Sequence, residues 1–94
     1  MECNQITFSR HALVQMFARK ISNDDVVNTI KNGELVKKYA DDEPYPSYLL
    51  LLFINKRPIH VLTAFNETDN MCIVITAYEP DVNLWESDFK TRRK

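Results

Sequence analysis

The sequence predicts an α+β domain: two N-terminal helices packed on one face of an antiparallel β-meander of about four strands, with a short C-terminal helix. Three observations predict it. Apolar residues recur at helical spacing between Arg10 and Ile30, and again after Asp81. The middle of the chain, Glu34 to Tyr78, is a series of β-rich runs broken by turn residues. The whole length, 94 residues, fits one small domain, 1–94, with a single modest core.

Ile6-Thr7-Phe8 reads as a short opening strand. Ser9 is an N-cap for a helix from Arg10 to about Lys20, because a serine hydroxyl can accept from the first-turn amides. Its apolar stripe is Ala12, Leu13, Met16 and Phe17, with His11, Gln15 and Arg19 on a neighbouring polar stripe. Ile21 packs in the bend. Ser22 opens a second helix with a capping box to Asp25, and Asp24 and Asp25 suit the positive end of its dipole. Val26, Val27 and Ile30 form its buried face, and Gly33, the one glycine, stands where a left-handed C-cap is wanted. The short connection makes the two helices a tight pair.

Glu34 to Tyr39 is a strand, and Asp41 to Pro46 a loop, since each proline biases its predecessor toward extended backbone. Tyr48 to Ile54 is continuously apolar and fits a central strand buried on both faces. Asn55 to Pro58 turns into a hairpin, Ile59 to Tyr78. With Asn66 opposite Asn70, His60, Leu62 and Ala64 share a face with Cys72, Val74, Thr76 and Tyr78. The other face carries Ile59, Val61, Thr63, Phe65, Met71, Ile73, Ile75 and Ala77, and its burial sets the register. The mixed face also receives Leu49, Leu51 and Phe53. After Glu79-Pro80-Asp81, the spacing of Val82, Trp85 and Phe89 predicts a short helix that folds back to cover that face.

The longest apolar run is too short to span a bilayer, and the N-terminus lacks a signal-peptide pattern, so a cytoplasmic location and no membrane partner are expected. On that basis Cys3 and Cys72 are expected as reduced thiols, Cys72 packed in the sheet. Two cysteines and two scattered histidines make no metal-ligand spacing, and one glycine leaves no phosphate-cradling loop; no metal and no cofactor are expected. The net charge of −1 conceals a basic tail, Lys90 to Lys94, and an acidic knot, Asp41-Asp42-Glu43.

Several motifs occur in an order that resembles the domain-of-unknown-function family 4258. They are Ser9-Arg10-His11-Ala12, Arg19-Lys20-Ile21-Ser22, Asn32-Gly33-Glu34, the acidic loop Tyr39 to Asp42, Arg57 to Val61, Ile75 to Pro80, and Trp85 with Arg92-Arg93. The resemblance spans nearly the whole chain. It implies a small bacterial or archaeal toxin-like protein of a toxin–antitoxin pair, with a zinc-finger antitoxin of the MqsA type as cognate partner. The layout is distantly similar to RelE-, BrnT- and MqsR-type toxins, a likeness of fold.

Metal-independent RNA cleavage needs a base, an acid and cations for the phosphorane. The residues available for it are His11, His60, Tyr78 and Arg19 as catalytic groups, with Glu79 nearby in sequence. Arg10, Lys90, Arg92, Arg93 and Lys94 are the candidate RNA contacts. Each has an ordinary alternative. His11 can be a surface histidine, His60 a satisfied strand histidine, Tyr78 a core aromatic, and Arg19 an ion-pair partner of Asp24. Glu79 can shape a turn, the tail can be a solvated terminus, and Trp85 and Phe89 can serve packing alone. The leading expectation is an endoribonuclease acting on RNA. The alternative is a non-enzymatic module that docks a protein through Leu49, Leu51, Phe53, Leu62 and Val74 of the mixed face. A small-molecule binder has no sequence feature in its favour.

Overall fold

The elements follow the sequence closely until the last fifteen residues. The computed structural model describes residues 1–94. In chain order it has β1 (Gln5–Phe8), α1 (Arg10–Ala18), α2 (Asn23–Asn32), β2 (Glu34–Tyr39), β3 (Ser47–Ile54), β4 (Arg57–Asn66) and β5 (Met71–Tyr78). Both helix starts are capped as their residues dictate. Ser9 accepts from the Ala12 amide, and Ser22 and Asp25 form a reciprocal capping box. No helix is long and apolar enough to cross a membrane.

The sheet has five strands in the order β1-β5-β4-β3-β2. The expected four-stranded antiparallel meander is therefore incomplete. β1 adds to the free edge of β5 and runs parallel to it, from Gln5↔Met71 to Phe8↔Val74. The physical reason is that an unpaired edge on β5 would leave a row of backbone groups unsatisfied. The helices pack on the sheet, α1 against β5 and α2 against β3 and β4, instead of forming a tight pair. Ala12, Met16, Ile21, Val26 and Ile30 meet Leu50, Ile59, Val61, Cys72, Val74 and Ala77 in one aliphatic core. Two other stripe members, Leu13 and Phe17, are exposed. A short helix lying on a sheet buries a narrow i, i+4 row, here Ala12 and Met16, and residues one step round it stay outside.

The β4–β5 register departs from expectation in an instructive way. Asn66 lies opposite Met71 rather than Asn70, so Phe65 faces Cys72 and Thr63 faces Val74. The register then shifts between Leu62 and Thr63, leaving Ile75 as an extra residue on β5. Beyond the bulge His60 faces Tyr78 and Leu62 faces Thr76. Thus Cys72 and Val74 join the helix-covered core, while His60, Thr76 and Tyr78 share the other face. The bulged segment is stitched from the helix cap: the Ser9 amide donates to the Val74 carbonyl and the Ser9 hydroxyl to the Ile75 carbonyl.

Three further details replace expectations. Gly33 is extended (φ −74°, ψ 164°), not left-handed. Glycine is needed because a Cβ there would collide with the Thr29 carbonyl and lie 2.8 Å from the Leu51 carbonyl. Cys3 and Cys72 are joined in a disulfide instead of standing as free thiols. The β1–β5 pairing brings their Cα atoms to 5.8 Å, within ordinary bridging range. Finally, Pro80 to Lys94 is not a helix but a strap of turns closed by an isolated bridge between Trp85 and Arg92. Asp81 caps a single turn: its carboxylate takes the Asn83 amide and its carbonyl the Leu84 and Trp85 amides. The turn does not propagate, because the Glu86 amide goes forward to the Thr91 carbonyl, and the Asp88 carboxylate bends the backbone by taking the Lys90 and Thr91 amides.

Candidate active site

The strap is laid over the mixed sheet face, and His60 is its anchor. His60 is fully buried. Its Nε2–H donates to the Phe89 carbonyl at 2.8 Å, and its Nδ1 accepts from the Tyr78 hydroxyl at 3.2 Å. A carbonyl can only accept, which places a proton on Nε2. Burial pushes the His60 pKa below its usual value, partly opposed by the Phe89 carbonyl. Trp85, itself buried, meets the His60 ring edge-on at 4.8 Å, and Phe89 meets Phe53 at 6.0 Å. Trp85 and Phe89 thus cover this face as their sequence positions imply, through irregular backbone; Val82 stays exposed.

Beside this anchor, where β5 ends, lies an open cavity of about 540 Å³. Arg19, Arg57, Arg92, Tyr78, Glu79, Asp81, Leu84 and Trp85 line it. Three arginines thus line the cavity with Tyr78, and Arg92 and Arg19 are the two whose charge acts on it. Tyr78 is held protonated: burial raises its pKa, as does Tyr39, against the opposing pull of Arg92 and Arg19. Arg19 Nη1 donates to the Ala77 carbonyl at 2.9 Å, leaving its other donors free for the cavity; no ion pair with Asp24 forms. Arg92 lies over the Trp85 ring, 5.3 Å from its centroid. Arg57 is more fully committed. It donates to Glu79 at 2.7 Å and to the Arg19 and Lys20 carbonyls at 2.8 and 3.0 Å. It thereby ties the end of α1 to the end of β5 and fixes the mouth of the cavity.

Tyr78, Arg19 and Arg92, and His60 behind them, are brought together. His11 is not among them. It is exposed on α1, which packs on the opposite face of the sheet from His60. Arg10 is exposed on the same helix. The basic tail is not a free arm. Lys90 pairs with Glu34 at 2.9 Å, and Arg93 donates to the Val82 carbonyl and lies 3.5 Å from Glu86. Lys94 is exposed. Sequence reasoning missed Arg57 and the lining role of Asp81 and Leu84. Arg57 had one usable signal: it and Glu79 are opposite charges just outside the open end of one hairpin.

Residues 8–79 match the sequence model of a family described as Domain of unknown function (DUF4258). The chain belongs to that family. No curated protein and no solved structure matches it. The DUF4258 stretch contains Arg19, Arg57, Tyr78 and Glu79, half of the cavity wall. The other half, Asp81, Leu84, Trp85 and Arg92, comes from the strap, beyond the family match.

Proposed function

We propose that this DUF4258 chain is a toxin-like, metal-independent endoribonuclease whose active site is the arginine-lined cavity around Tyr78. The observation that carries the proposal is one cavity lined by Arg19, Arg57 and Arg92 together with a protonated tyrosine backed by a buried histidine. Guanidinium groups bind phosphate bidentately and stabilise charge that builds on a phosphorane. Tyr78, kept protonated, is the general acid for the departing 5′-oxygen, its one O–H turning from His60 Nδ1 to the substrate for that step. The Glu79 carboxylate, held at the cavity by Arg57, takes the proton of the attacking 2′-hydroxyl. The 2′-oxygen bonds to phosphorus as the bond to the 5′-oxygen breaks, giving a 2′,3′-cyclic phosphate and a 5′-hydroxyl. His60 acts through Tyr78 and the strap, as a positioning residue. Arg92 and Arg19 are the phosphate contacts, with Lys94 and Arg10 as outlying cations.

The alternative, a protein-binding module that uses the mixed sheet face, would have to displace the strap from the His60 end of that face. The decisive experiment incubates purified, partner-free protein with total RNA in the presence of a chelator, with and without ribosomes. Cleavage to 2′,3′-cyclic phosphate ends, lost in Arg19→Gln and Arg92→Gln, supports the proposal. Each phosphate contact removed should also flatten the salt dependence of RNA binding by about 0.7 in the logarithmic slope. No cleavage under either condition, together with no growth defect on induction, removes it and leaves the binding module.

A further inference from the structure

Helix α1 presents a second surface that the cavity does not use. Its inner row, Ala12 and Met16, is buried. At roughly 100° per residue, Leu13, Phe17, Arg10 and Val14 form one band on the outer side. Phe17 is 90% exposed, Val14 59% and Leu13 45%. Isolated exposed hydrophobics are ordinary, but three adjoining ones on two helical turns make a patch. Its charge is one-sided. Residues 9–20 hold Arg10, Arg19 and Lys20 and no acidic residue. Arg19 is turned away to the Ala77 carbonyl, which leaves Arg10, the first residue of α1, as the cation at the N-terminal end of the apolar band.

We propose that this band docks an amphipathic helix of a different protein, one with a row of leucine, isoleucine or methionine flanked by aspartate or glutamate. The apolar row would cover Leu13 and Phe17, and an acid would meet Arg10 at the N-terminal end of the band, the charge complementarity that sets partner and orientation. The patch does not suit a second copy of the chain. A two-fold pairing runs the two helices antiparallel and sets Arg10 against the Phe17 end of its partner, where no acid stands to meet it, and a nine-residue helix is too short for the roughly 800 Å² per partner of a stable dimer. A membrane surface is also poorly matched, since interfacial helices are rich in Lys and Arg and this band has Arg10 alone. This inference is independent of RNA cleavage.

The test uses two synthetic helical peptides with the same leucine row, one flanked by glutamate and one by lysine, and reads binding by fluorescence anisotropy. The Glu-flanked peptide should bind and the Lys-flanked one should not. Phe17→Ser, whose side chain is outside the core, should weaken binding by about tenfold or more, the loss typical of an anchor residue. Arg10→Glu should reverse the preference to the Lys-flanked peptide. The proposal is overturned by any of three results: no binding of the Glu-flanked peptide, binding unchanged in Phe17→Ser, or a Phe17-dependent association with anionic phospholipid vesicles or with the protein itself in place of the peptide.

Discussion

The two faces of the sheet are built in different ways. Under α1 and α2 lies an aliphatic core, with Val26, Ile30, Ile59, Val61 and Val74 wholly buried and few polar groups to satisfy. Under the strap lies His60, equally buried, with both ring nitrogens hydrogen-bonded and two aromatic side chains folded over its surroundings. The first face is held by area removed from water, which tolerates repacking. The second depends on a few directional contacts made by irregular backbone, and the proposed catalytic cavity opens at its margin. A small domain can place stability and chemistry on opposite sides of one sheet, and the side with fewer apolar contacts is the one free to open locally.

The largest effect should come from the helix-covered face. Ile59→Ala deletes a fully buried side chain and should cost about 2–5 kcal/mol, read as a lower urea midpoint with the strap and core lost together. Reducing the Cys3–Cys72 disulfide, which closes a separation of 69 residues, should cost about 2–4 kcal/mol by releasing the unfolded chain. Comparing midpoints with and without reductant measures this; no change would mean that β1 is held by its ladder alone. On the strap side, Trp85→Ala should cost less, about 1–3 kcal/mol, because the strap can detach before the sheet unfolds. A loss as large as that of Ile59→Ala would erase the distinction between the faces.

The smallest effect is the pH dependence of the strap. The unfolded His60 titrates near 6.5, and burial lowers its folded value. Below pH 6.5 the unfolded chain takes up a proton that the folded chain refuses, so stability is full above that pH and falls as the solution is acidified. Emission from Trp85, the single tryptophan, should report the strap loosening in acid, and His60→Gln should flatten the response. An unchanged acid response in the glutamine variant would place the titrating group elsewhere.

How much of this was legible depended on how local the signal was. Ser9 and Ser22 announce their helices because capping is a matter of a few adjacent residues. The run Leu49–Ile54 announces a central strand by composition alone. The β5 bulge at Ile75 has no such marker. Ser9, far away in sequence, bonds the Val74 and Ile75 carbonyls there, and the bulge separates Cys72 and Val74 on the core face from Thr76 and Tyr78 on the other. The strap misled for a related reason: Val82, Trp85 and Phe89 keep helical spacing and Asp81 caps one turn, yet the Glu86 amide is taken by the Thr91 carbonyl and the turn stops there. Of the site, Tyr78 and His60 were read as neighbours on one face, and they are, because the bulge cancels the one-residue offset at the turn. The separation of His11 from His60 follows from the patterning already read: the greasier face, which lacks His60, is the one that takes the helices. Arg57 was hidden because its carbonyl partners at Arg19 and Lys20 are met only after α1 docks.

The central claim is that Tyr78 transfers a proton at an arginine-bound phosphate. Its most direct test is the single-turnover rate of RNA cleavage, in chelator, by the unaltered protein and by Tyr78→Phe, each first checked for a docked strap by Trp85 emission. The substitution removes only the hydroxyl, so RNA binding should persist while the rate falls by about 10²–10⁴-fold, the usual worth of a positioned general acid. Equal rates from two equally folded proteins would contradict the account and take Tyr78 out of the chemistry.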